Sequence, residues 1–139
     1  MTRSASVLFV LGFVLCAAGA PLPEPSKAKE PAIPKELLQA QLEIVQEVST
    51  AHWEKFRAGR GTVDDVTLWS RRLLDARLAI ATKGEERVAA CKEYLDHMKV
   101  IEKVAKVTFE AGRTTIAEYK GAVYFRIEAE ILLFKAEAK

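Results

Sequence analysis

The chain has 139 residues, a length that suits a single domain. Half of the residues are hydrophobic, 29% are charged, and glycine and proline are sparse, which is typical of helical proteins. The formal net charge is only +2, with the two signs interleaved, so there is no electrostatic basis for binding nucleic acid.

The first 34 residues predict an export signal followed by a tether. Residues 1–20 combine Arg3, an apolar run from Val7 to Leu15 and a stretch of small residues, as secretory signal peptides do. The cleavage position stays open, and a short uncleaved anchor is the alternative. That run is shorter than the roughly 20 apolar residues that span a bilayer. Residues 21–34 hold all five prolines and predict an extended tether.

Residues 35–139 predict an all-α domain. Apolar residues recur at three–four spacing over residues 35–58, over 63–110 and again over 116–138. No stretch alternates as a strand would. With the leader removed, Cys91 is the only cysteine, so no internal disulfide is expected.

Two architectures fit these lengths. The favoured one is an antiparallel coiled coil in which a long middle helix, about 70 Å if unbroken, pairs with two shorter outer helices whose tips point in opposite directions. The alternative is an up-down four-helix bundle bent at Gly84, since a glycine within a helix costs about 1 kcal/mol relative to alanine. The continuous helix would leave an apolar arc exposed, which predicts association along the side of the rod. The arc consists of Trp69, Leu73, Leu74, Leu78 and Ile80.

An internal repeat marks the two predicted helical turns. The pattern F-x-A-G-R-x-T-x-x-[DE] starts at Phe56 and again at Phe109. Its glycine suits the left-handed residue that ends a helix, and its threonine suits the N-cap of the next helix. The acidic residue three positions later can complete a capping box, and the arginine lies where the preceding helix dipole favours positive charge. The predicted tip residues are Gly59, Arg60, Thr62, Gly112, Arg113 and Thr115, in tips near 59–62 and 112–115.

This repeat resembles the periplasmic hairpins of the TolC-like outer-membrane efflux family, whose pattern is approximately [FY]-x-x-G-x-x-[ST]-x-x-[DE]-V-L-x-A-x-x-x-L-x-x-A. The first copy departs at Thr67 and Trp69 and matches at Phe56, Gly59, Thr62, Asp65, Val66, Leu73 and Ala76. The second copy departs at Tyr119, Lys120 and Arg126 and matches at Phe109, Gly112, Thr115, Glu118, Ala122 and Ala129.

The resemblance implies tips that meet the adaptor protein of an efflux pump, with the six tip residues as the partner-binding site. Family members are several times longer and carry the strands of a transmembrane barrel, which this chain lacks. The implied protein is therefore an exported, non-enzymatic helical protein of the periplasm or cell envelope that acts by protein–protein association, with a link to efflux. Homo-oligomers stay open, as do two alternatives: a free-standing helical scaffold or adaptor without a transport role, and a helical bundle that binds a small ligand.

No residue pattern predicts a catalytic site, a metal site or a cofactor. His52 and His97 are isolated and have no metal-ligand spacing, so structural or surface roles are expected. Cys91 lies on an apolar seam and is expected in the core. Trp53 and Trp69 flank the first tip and are expected to pack within the hairpin.

Overall fold

The computed structural model describes residues 33–138, and every regular element within them is an α-helix. Helix α1 spans Lys35–Arg57, α2 spans Val63–Ile80, α3 spans Gly84–Glu110, and α4 spans Ile116–Glu137. The all-α prediction is confirmed. The predicted leader, and the predicted tether up to residue 32, lie outside the described residues.

The prediction of one long middle helix is wrong, because the chain breaks at residues 81–83 and folds back on itself. Across this third turn, Arg77 of α2 forms an ion pair with Glu93 of α3, and Ser70 lies beside His97. Helices α2 and α3 are therefore antiparallel neighbours. The arrangement is the up-down four-helix alternative, with Gly84 as the first residue of α3.

Polar side chains stabilise the third turn, residues 81–83, through hydrogen bonds. The carboxylate of Glu86 accepts hydrogen bonds from the backbone N–H groups of Thr82, at 2.8 Å, and Lys83, at 3.2 Å. These bonds lower the pKa of Glu86. Arg87 donates from Nη1 to the carbonyl oxygen of Leu78, which belongs to the last turn of α2. The broken helix ends thus find partners that a continuous helix would not need.

One apolar core joins the two hairpins, α1–α2 and α3–α4. Small buried residues, Ala105 of α3 and Ala122 and Ala129 of α4, allow the second hairpin to pack closely. Ile101 of α3 is completely buried, and Met98 nearly so. From the first hairpin, Phe56, Val63, Val66 and Leu74 enter the same core.

Folding back removes the apolar arc on which the predicted rod-side association rested. Leu74 is now 2% exposed, and Trp69, Leu73, Leu78 and Ile80 are each partly buried. Leu74 and Leu78 pack in the core that joins the hairpins, and their burial removes apolar area from water, which favours the folded-back arrangement. The exposed apolar surface of this fold lies elsewhere, chiefly on α4.

Candidate functional site

Both repeat tips have the local structure that their sequence predicts. Gly59 and Gly112 each have a φ of 68°, and no other described residue has a positive φ. The N–H of Arg60 bonds to the carbonyl of Lys55 at 2.9 Å, and that of Arg113 to the carbonyl of Thr108 at 2.9 Å. Together with the bonds from each glycine N–H, these contacts form a Schellman ending on both α1 and α3.

The two threonines begin the following helices. Thr62 Oγ1 accepts from the N–H of Asp65 at 3.1 Å, and Thr115 Oγ1 accepts from the N–H of Glu118 at 3.2 Å. Both are N-caps, as predicted. The acidic residues do not reach back to the cap backbone as a full capping box would. Asp65 instead accepts the hydroxyl proton of Thr62, with an oxygen–oxygen distance of 2.8 Å.

The two tips lie at the same end of the bundle, not at opposite ends as the rod required. They enclose a cleft of about 570 Å³, which the last turns of α1 and α3 and the first turns of α2 and α4 line together. Of the six predicted tip residues, Gly59 and Arg113 line this cleft. The other four, Arg60, Thr62, Gly112 and Thr115, lie on the exposed rims.

The cleft has polar walls over an apolar floor. Phe56 is 7% exposed and Val63 is 3% exposed, so they seal the bottom against the core. The walls carry polar groups from both hairpins, which the repeat alone did not bring together. They include Arg57, Thr108, Thr114 and Glu118.

Three arginines at the tip end have no carboxylate partner in the described part of the chain. Arg71, Arg77 and Arg126 each form an ion pair with carboxylates of the chain. Within residues 33–138, Arg57, Arg60 and Arg113 form no ion pair. Arg72 and Arg87, along the bundle, form none either, but Arg72 lies over the Trp69 ring and Arg87 bonds to a backbone carbonyl. Arg57 lies over the ring of Trp53, with 5.7 Å from Cζ to the ring centroid. The tip end therefore presents guanidinium groups whose carboxylate partners are not supplied by the described part of the chain.

The two histidines and two tryptophans pack against one another. The rings of His52 and Trp69 stack with centroids 5.7 Å apart. Trp53 meets His97 of α3 edge-on, with centroids 4.7 Å apart. Trp69 therefore packs within the first hairpin, as predicted, whereas Trp53 packs between the two hairpins.

A cavity of about 170 Å³ lies between α2 and α3, away from the tips. His97 Nδ1 is 3.4 Å from Ser70 Oγ, while its Nε2 is buried and meets no partner among the described residues. Burial lowers the pKa of His97 and raises the pKa of Tyr94 to about 12. Burial also raises the pKa of the Cys91 thiol, so that thiol resists forming a thiolate. These groups are thus held in their neutral forms near pH 7.

The described part of the chain has no group of three or more His, Cys, Asp or Glu side chains placed to hold a metal ion. Among the described helices, none combines the length and hydropathy required to cross a membrane. No protein-family model, curated protein or solved structure matches the chain. The likeness to TolC-like hairpins therefore stands on the repeat alone.

Proposed function

We propose that this is an exported, non-enzymatic helical protein that binds another protein of the cell envelope through its tip end. The observation that supports the proposal most is the pairing of the two repeat tips beside one cleft. Both copies of a sequence-encoded turn are exposed at one end, where one partner can contact them together. In the family that the repeat resembles, hairpin tips of this kind meet the adaptor of an efflux pump.

The chemistry of the tip end favours a partner that carries carboxylates. Guanidinium groups form bidentate hydrogen bonds with carboxylates, and such charge-assisted bonds are stronger than neutral ones. Arg60 and Arg113 come from the same position of the two repeats, so they present two similar donors on neighbouring tips. An acidic helical tip of an envelope protein fits this surface, and a link to efflux follows if that protein is a pump adaptor.

Site-specific photo-cross-linking in the native host tests the proposal. A photoreactive residue replaces Arg60 in one strain and Arg113 in another, and a third strain carries it at Lys83 in the third turn. Lys83 is a matched control because it is an exposed turn residue outside the repeat. We expect the two tip positions to capture the same envelope protein and Lys83 not to capture it.

Charge reversal then tests the role of the arginines. The double variant Arg60→Glu, Arg113→Glu, with the photoreactive residue moved to Ala58, should lose the captured band. Lys99→Glu, Lys103→Glu is the matched control, because it makes the same charge change in the middle of α3. Equal capture from the third turn and the tips, or capture unaffected by arginine reversal, would overturn the tip-binding function. If the captured protein is not a pump adaptor, the scaffold function replaces the efflux link.

A further inference from the structure

The outward face of α4 is apolar. Ala122 and Ala129 point into the core and are 1% and 0% exposed. On the opposite side of the helix lie four large apolar side chains, which we name the α4 stripe. Tyr124 is 63% exposed, Ile127 43%, Ile131 49% and Phe134 74%. An exposed apolar face of this kind usually marks an interface, and no described segment covers this stripe.

The spacing of the α4 stripe is that of a coiled-coil seam. Its members are separated by three, four and three residues, which places Tyr124 and Ile131 at a positions and Ile127 and Phe134 at d positions. Such a seam packs against a second helix with the same repeat. The stripe is present once in each copy of the chain, so two copies related by a twofold axis can cover each other's stripe.

We propose that a second copy of this chain covers the α4 stripe, with the two α4 helices parallel. The charges beside the stripe select this partner and this direction. Glu130 occupies a g position and Lys135 the following e position, so a parallel pair brings Glu130 of each copy to Lys135 of the other. Glu130 also pairs with Arg126 of its own chain, at 2.9 Å, so Lys135 of the other copy would join an existing ion pair. An antiparallel pair centred on the stripe would place Glu128 near Glu128, and Glu130 near Glu130, across the axis, with only Arg71 and Arg126 to offset the repulsion. Within the described residues Lys135 has no ion-pair partner of its own.

The area available suits a reversible dimer. A whole aromatic side chain can bury roughly 200 Å², so the exposed parts of Tyr124 and Phe134 offer about 250 Å² per copy. With the two isoleucines and the flanking side chains, the pair would bury on the order of 1,000 Å² in total, which is near the lower limit for a specific interface. We therefore expect a weak dimer whose population rises with chain concentration. Parallel packing also places the tip ends of both copies on the same side, but the proposal does not depend on the tip-binding function.

Sedimentation of the full chain over a concentration series tests whether a second copy covers the α4 stripe. The parent chain should shift from monomer to dimer, and the variant Ile127→Glu, Ile131→Glu should stay monomeric at every concentration. The matched control is Leu37→Glu, Ile44→Glu on α1, where the two side chains are 62% and 63% exposed. It makes the same change in charge and hydropathy and should dimerise like the parent. A parent chain that is monomeric throughout, or a dimer that survives the α4 variant, would overturn the proposal.

Disulfide trapping tests the direction of packing in a background without Cys16 and Cys91. In a parallel pair, equivalent a positions face each other, and so do equivalent d positions, within the roughly 7 Å between Cα atoms that a disulfide spans. Tyr124→Cys alone and Phe134→Cys alone should therefore each form covalent dimers on mild oxidation. If neither variant forms them alone, but a mixture of the two does, the helices are antiparallel and the proposed direction is wrong.

Discussion

Replacement of Gly112 by alanine isolates the backbone strain of one repeat tip. Gly112 has a φ of 68°, and a Cβ built on it would meet no atom within 4 Å. The added methyl group therefore causes no steric clash with a neighbour. Its cost comes from the left-handed conformation itself, in which an L-residue places Cβ too close to the following carbonyl oxygen.

That conformational penalty is roughly 1–2 kcal/mol per residue. For a domain of about 100 residues, 1 kcal/mol shifts the melting temperature by roughly 4–8 °C. We thus expect Gly112→Ala to lower the melting temperature by about 4–15 °C. Gly112→Asn should recover part of the loss, because asparagine tolerates the left-handed region better than alanine does.

Gly121 supplies a matched control in the neighbouring helix. It lies within α4 without a positive φ, and a Cβ there also meets nothing within 4 Å. The same substitution, Gly121→Ala, should stabilise by up to about 1 kcal/mol, because glycine is the poorer helix former. Urea unfolding followed by circular dichroism measures both variants on one scale. Equal midpoints for Gly112→Ala and the parent chain, or destabilisation of the same size in both variants, would refute the reasoning.

Two further predictions concern the caps and a buried histidine. Thr62→Ala and Thr115→Ala should each lower the unfolding free energy by about 1 kcal/mol in urea titrations, because each removes an N-cap. Thr50→Ala is the control, since it removes an exposed hydroxyl within α1, and it should change the unfolding free energy by less than about 0.5 kcal/mol. Caps that prove no more sensitive than Thr50 would contradict the turn structure. Because burial lowers the pKa of His97, the unfolded chain takes up a proton at this residue at higher pH than the folded chain does. The unfolding free energy should therefore fall as the pH drops below about 6.5, and it should not depend on this group above about pH 7.5. His97→Gln should reduce the loss of unfolding free energy between pH 7.5 and 5.5; an identical loss in parent and variant would show that His97 does not cause it.

The sequence by itself determined the two tips, the outer helices α1 and α4, and the all-α class. Helix α1 was predicted over residues 35–58 and observed over Lys35–Arg57, and the glycine and threonine of each repeat have the predicted roles. These features depend on interactions within a few residues: the positive φ that glycine accepts, the hydroxyl that satisfies a free N–H group, and apolar side chains at three–four spacing. Local chemistry of this kind can be recognised without knowing the rest of the fold.

The path of the chain between the tips was decided by tertiary structure. Gly84 would weaken a continuous helix by only about 1 kcal/mol relative to alanine, so local propensity could not choose between a rod and a bundle. Bonds from the backbone of Thr82 and Lys83 to Glu86 offset the break, and burial of the α2 seam between the hairpins made the bundle the better structure. That choice brought both tips to one cleft and moved the exposed apolar surface from the middle of the chain to α4. Both results depend on which apolar helix faces, distant in sequence, pack against each other, and no local pattern in the sequence encodes that choice.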